Sequence, residues 1–341
     1  MISSTFRHIT ALLRAAATVY AHAASAEQLP IDQAPRDLER VSVSAADSGP
    51  HIWEYRRGDH RVFVLGVVFP EPKNIDFIPN TIEKAIGASG AVLSPPGVVV
   101  GEGVSIWRAL TLWPSIRKAK YLPEGKYLTD VLPAQTQTRW NALKDVYLGN
   151  DRDVERMLPM YAGWKLYEAL LDKEGIDKKS TVTPMVERVA KADRIEMIDA
   201  KFHLTINDPK TAVHEFAIDP NADLACLDST MSGVETLPSV ARELADAWSG
   251  GDVPAMSAAL DKHTIIPQCW SSLTNEAIAR QQGLDLNEQI RKAWFAALEL
   301  AGTTHPVVFT TAQVADVLHR TGRIRWLLDA GYVPVDTAEK S

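Results

Sequence analysis

Asp199, Lys201 and His203 stand two residues apart, and His214 follows further along. A carboxylate, an amine and an imidazole at alternate positions share one face of an extended strand. Such a face could move protons or ligate a metal ion. The same spacing also describes a solvated strand end, and no known motif joins these residues. His305 precedes an apolar run and His319 lies in a helix-like segment after it. A histidine in either place can face solvent or cap a carbonyl as readily as it can bind an ion.

Other familiar chemistries are missing their spacing. Ser94-Pro95-Pro96-Gly97 lacks the Gly-x-Ser-x-Gly pattern of a nucleophile elbow. Gly101-Glu102-Gly103 lacks the third glycine and the strand–helix context of a dinucleotide loop. The two cysteines, Cys226 and Cys269, are compatible with one bridge or with two separate thiols packed as small hydrophobes. Two cysteines alone cannot complete a four-ligand zinc site.

The elements that must position these groups can be read from hydrophobic period and turn residues. Residues 51–55 and 61–66 read as strands joined by the turn Arg57-Gly58-Asp59. Residues 79–88 carry Ile82, Ala85 and Ile86 on one helical face, and Ala91-Val92-Leu93 returns as a strand. This strand–helix–strand unit predicts a parallel pair. The middle is mostly helical, at 138–147, 155–173 and 185–192, with a short strand at 195–198. Leu237, Val240, Leu244 and Trp248 form an apolar stripe that stops at Gly250-Gly251, and Asp252 can cap the next helix. A helix over 290–300 is predicted to end at Gly302, followed by a strand at 306–309. Residues 314–328 read as helix broken near Gly322, and Tyr332-Val333-Pro334-Val335 as an edge strand because of its proline. Most of the nine tryptophans fall in helix-like segments, where core packing suits them better than carbohydrate stacking.

Composition narrows the partners. The net charge is −7, with no basic stripe, which argues against nucleic acid or an anionic membrane surface. Residues 1–26 have a polar start at Arg7-His8, an apolar stretch interrupted by Arg14, and small-x-small sites at Ala21-His22-Ala23 and Ala24-Ser25-Ala26. They read as a signal peptide, the alternative being an ordinary amphipathic helix or a misplaced start. Residues 27–50 read as a linker, 51–336 as the folded domain and 337–341 as a tail. No later segment is long and apolar enough for a membrane span, so the mature chain is expected to be periplasmic or secreted.

The order of short motifs resembles the TraB/GumN family, related to the Tiki-type proteases. The hairpin leads to the strand-end position of a Gly-x-x-His motif, here Gly66-Val67-Val68-Phe69. A helix and strand follow, then a Trp-x-x-Gly-Asp-like element, here Trp248-Ser249-Gly250-Gly251-Asp252. The chain closes on a Gly-Tyr-x-Val strand, here Gly331-Tyr332-Val333-Pro334-Val335. The resemblance implies an α/β fold: a mixed sheet built from both ends of the chain, with a large helical insert. It also implies a metal-dependent hydrolase site, and here this chain departs. Phe69 stands at the first histidine position, and Gln313, in Thr310-Thr311-Ala312-Gln313, at the second. Ser94 stands at a glutamate position, Asp199 at another, and a family arginine falls near Asn287, with Arg280 and Arg291 close by.

Phenyl carbon cannot donate a lone pair to a divalent transition metal, and a neutral amide or hydroxyl is a poor ligand for one. Without a bound metal, water keeps its high pKa and attacks weakly. The expectation is therefore a catalytically degenerate exported protein with no metal or other cofactor and no catalytic residue. Strand ends at Gly66, Leu93 and Phe309 should meet at one crevice, with a remnant pocket of Gly66, Phe69, Ser94, Asp199 and Gln313. The ligand would be an unknown small molecule or an envelope protein. The alternative is a peptidase-like hydrolase whose metal ligands have moved, with His203, His305 or His319 replacing the lost imidazoles.

Overall fold

Branched and aromatic residues flank Gly58-Asp59, and they fold as an antiparallel hairpin of β1 (Ile52–Arg57) and β2 (His60–Val67). Gly58, at φ 59°, takes the left-handed conformation that this tight turn needs. The computed structural model describes residues 49–73, 75–102, 118–177, 180–206, 219–262, 275–276 and 278–335. The described residues all belong to one compact unit, within Ser42–Ser341. The signal peptide, almost all of the linker, the tail, His214, Cys269, Trp107, Trp113 and Trp270 lie outside the described residues.

After β3 (Glu71–Pro72) come α1 (Asn80–Gly87), β4 (Ala91–Leu93) and β5 (Val98–Glu102). The insert holds α2 (Leu128–Val131), α3 (Ala134–Tyr147) and α4 (Pro159–Glu174). Then follow β6 (Ile176–Asp177), α5 (Val182–Ala192), β7 (Glu196–Ile198) and β8 (Phe202–Thr205). The long α6 (Pro220–Ser249) leads to α7 (Val253–Asp261) and α8 (Leu286–Thr304). The chain closes with β9 (Val307–Gln313), α9 (Val314–Leu318), α10 (Arg325–Asp329) and β10 (Val333–Pro334).

The main sheet has the order β10-β1-β2-β9-β4-β7. The fold is α/β with a mixed sheet, and strands from both ends of the chain interleave in it, with β7 from the middle at one edge. β2, β9, β4 and β7 run parallel, whereas β1 is antiparallel to both β2 and β10. Two expectations are corrected. β2 and β4 point the same way but are not neighbours, because β9 lies between them. The strand expected at 306–309 continues to Gln313, so Phe309 lies in the middle of β9 rather than at its end. The reason is burial: Thr310, Thr311 and Ala312 are all buried beside β2, and two of them are β-branched.

Gly302 also does not stop α8, which runs on to Thr304. Its missing side chain instead makes room for the His60 ring, which a Cβ there would meet at 2.5 Å. The proline in β10 does sit on an edge strand, where it leaves no ladder bond broken.

Two apolar cores are built around α6. Its first half packs Leu227, Met231 and Val234 with Trp140, Leu166 and Leu170 of the insert. Its second half packs Val240, Leu244 and Trp248 with the sheet, α1, α5, α7 and α8. Thirty residues span about 45 Å at 1.5 Å per residue, so one helix reaches through both cores. Cys226, buried on α6, is disulfide-bonded. No described helix is long and apolar enough to cross a membrane.

The Trp248–Asp252 and Gly331–Val335 elements are structural. Trp248 is buried, and its indole Nε1 donates to the Gly66 carbonyl oxygen. Gly251, at φ 68°, turns the chain with its Cα against the Gly49 carbonyl, and Asp252 accepts the Ala255 amide to cap α7. Tyr332 is buried under the Arg57 guanidinium, 4.5 Å from its ring centroid, and Arg57 pairs with Glu299 of α8.

Candidate functional site

Parallel strands place their carboxyl ends along one margin of the sheet, which is where α/β folds hold ligands. Val67, the last residue of β2, is in register with Gln313, the last of β9. The chain then leaves β2 through Phe69, so Phe69 and Gln313 come together. Gly66 does not reach the opening. A Cβ there would lie 2.8 Å from the Trp53 ring and 3.3 Å from the Val314 Cα, so the glycine serves packing.

Phe69 and Gln313 line a cavity of about 490 Å³. Its apolar wall is the inner face of α6, with Leu237, Val240 and Leu244, backed by Tyr167 from α4. Its polar groups include Asn287, Asp316, Thr321 and Arg323. The second half of α6 was legible as an apolar stripe. Tyr167, Asp316 and Arg323 carry no motif, and only the tertiary fold brings them to the opening.

Ser94 and Asp199 line a different cavity, of about 300 Å³, together with Thr311. The five residues expected in one pocket are thus divided between two cavities, with Gly66 packed behind the first. β7 ends at Ile198, and a turn over 199–201 separates it from β8. Asp199, Lys201 and His203 therefore do not form a continuous strand face; the turn folds them together. The Ser94 hydroxyl donates to Asp199 Oδ1 at 3.0 Å and accepts the Ala200 amide at 2.8 Å. Asp199 Oδ1 also accepts the Lys201 amide at 3.1 Å, and Oδ2 meets His203 Nε2 at 3.0 Å. Partial burial pushes the Asp199 carboxyl up. The Lys201 amide, Ser94, His203 and the Lys201 charge outweigh it and hold the carboxyl below its usual range.

This order of contacts is serine–aspartate–histidine. The imidazole does not lie between the hydroxyl and the carboxylate, so it cannot take the serine proton as a triad histidine does. A carboxylate with a lowered pKa is a weak base. The cluster staples the end of β4 to the turn after β7.

Neither of the other two histidines lines either cavity. His305 Nε2 meets Glu196 Oε2 at 3.0 Å and its ring lies against Gly90, at the amino ends of β4 and β7. From there to Gln313 is roughly 20 Å along β9 at about 3.3 Å per residue. His319 Nδ1 bonds the Thr321 hydroxyl at 2.8 Å, within the turn after α9.

Phe69, Gln313 and Ser94 do not fit a divalent transition metal. One presents a phenyl ring, one a neutral amide, and the third a hydroxyl already engaged by Ala200 and Asp199. Among the described residues no group of three or more His, Cys, Asp or Glu side chains is gathered to hold an ion.

Fold and site thus define an α/β protein with a cleft at the carboxyl ends of its parallel strands. The chain belongs to the TraB/PrgY/gumN family, which it matches over residues 51–310. That span includes Phe69, Ser94 and Asp199, while Gln313 falls just past it. No curated protein and no solved structure matches the chain.

Proposed function

We propose that this chain is a catalytically degenerate, exported member of the TraB/PrgY/gumN family with a binding or accessory role in the bacterial envelope. One observation carries the reading: Phe69 and Gln313, at the positions of the two family histidines, line the same cavity. The partner would be a small molecule or an envelope protein. The folded domain is taken as 51–336. The expected result is no hydrolysis of an unstructured peptide, with or without added manganese, cobalt or zinc. Hydrolysis that a chelator abolishes would overturn the reading.

The competing reading, a metal-dependent hydrolase with moved ligands, draws on the His203–Asp199 contact at 3.0 Å. It supplies two donors, whereas catalytic zinc sites use three protein ligands and a water. If that reading holds, His203→Ala removes the chelator-sensitive activity.

Export rests on the Ala24-Ser25-Ala26 site and the apolar stretch before it. N-terminal sequencing of the native protein is expected to begin at Glu27. An intact Met1 in a cytosolic fraction would contradict export.

A further inference from the structure

Among the described residues Arg323 is the cation that lines the cavity beside Phe69. Among the described residues its side chain makes one hydrogen bond, from Nη1 to the Pro96 carbonyl oxygen at 3.3 Å, and no ion pair. A guanidinium has five N–H donors, so most remain to be used. Asp316, which also lines the cavity, is turned to its own loop: its Oδ1 accepts the Arg323 backbone amide at 3.4 Å. The loop is held tightly there, because a Cβ on Gly322 would lie 2.1 Å from the Asp316 carbonyl oxygen. Arg323 is therefore fixed by its backbone while its head is only lightly engaged. Gln313 and Asn287 add neutral amides on the same cavity.

The wall formed by α6 and α7 has no such groups. Leu237, Val240, Leu244 and Leu260 line it without a charge. A volume of about 490 Å³ lies in the range of sites for small organic ligands, roughly 300–1,000 Å³. We infer that this cavity takes a single-chain amphiphile with a carboxylate head, the head on Arg323 and the chain along the apolar face of α6. A planar, two-oxygen anion matches the guanidinium fork. The chain would replace water against α6 and the Phe69 ring. The inference rests on the reading of this cavity as a binding site and adds the chemistry of its ligand.

Calorimetric titration of the full chain with decanoate, decanol and decyltrimethylammonium, each below its micelle concentration, tests it. Decanoate is expected to bind near-stoichiometrically and about tenfold or more tighter than decanol, a difference of about 1.4 kcal/mol per tenfold. The cationic analogue is expected to bind weakest. Arg323→Ala should erase the preference for the carboxylate while leaving decanol binding in place, and Arg323→Lys should keep part of it. Phe69→Ala should weaken both ligands together. Circular dichroism of each variant separates a lost contact from a lost fold. Equal binding of decanoate and decanol, or an unchanged preference in Arg323→Ala, overturns the carboxylate assignment but leaves a binding cavity. No binding of any probe overturns the ligand class altogether. Chelator-sensitive peptide hydrolysis instead marks failure of the binding reading itself.

Discussion

Trp248→Ala is expected to destabilise the protein by about 4–5 kcal/mol, the upper range for emptying a buried tryptophan site. The indole is buried to 1 % exposure and stacks edge-on against Phe77 at 4.9 Å between centroids. It also donates to the carbonyl of Gly66, at the end of β2. Alanine leaves a void between α6 and the sheet and an unpaired buried carbonyl. Trp248→Phe keeps most of the packing and loses the hydrogen bond, so its cost should be about 1–3 kcal/mol. Denaturant unfolding of the three proteins measures both differences. A loss below about 2 kcal/mol in Trp248→Ala would mean that the brace from α6 to β2 contributes little, since that is less than the usual truncation cost.

The second large effect depends on pH. Asp223, in the first turn of α6, is buried, and its Oδ1 accepts the Met160 amide at 2.6 Å at the start of α4. Burial pushes its pKa up to about 6, against the pull of that hydrogen bond. A raised carboxyl favours the folded state most when protonated. Its contribution is fully present below the unfolded value near 3.8 and is lost as pH rises through about 6. At pH 7.5 the ionised group costs at most about 3 kcal/mol relative to its neutral form, at 1.36 kcal/mol per pKa unit. Asp223→Asn keeps an acceptor for Met160 without the charge. Its melting temperature should exceed that of the parent at pH 7.5, and the two should converge near pH 4. A variant that is less stable than the parent at pH 7.5 would show that the carboxylate is stabilised by its site rather than strained in it.

Much of this fold is visible in local pattern. The hairpin around Gly58, the helix holding Ile82 and Ile86, the stripe ending at Trp248 and the proline-marked edge strand were all readable, because each has its own period or turn residue. Less was readable where distant segments decide. The apolar run stops at Phe309, and pairing with β2 together with burial of Thr310 to Ala312 carries the strand on to Gln313. The first half of α6 was missed because its apolar face meets α4 rather than the sheet, and its interior Gly233 and Pro238 obscure the helical signal.

The candidate site divides in the same way. Phe69 and Gln313 were found through motif order, and the register of β2 with β9 brings them together. Ser94 and Asp199 were found the same way, yet they hydrogen-bond to each other beside a separate cavity. Arg323 had no sequence signal, since its relation to Phe69 exists only after α9 and the following turn fold back.

Elemental analysis of the purified full chain, stripped with chelator and then offered manganese, cobalt or zinc before desalting, tests the central claim most directly. The donors at positions 69, 94 and 313 are a phenyl ring, an engaged hydroxyl and an amide, so the chain is expected to retain far less than one equivalent of any of the three metals. Near-stoichiometric retention of one metal, lost in Asp199→Ala or His203→Ala, would contradict the account and identify a site built from moved ligands.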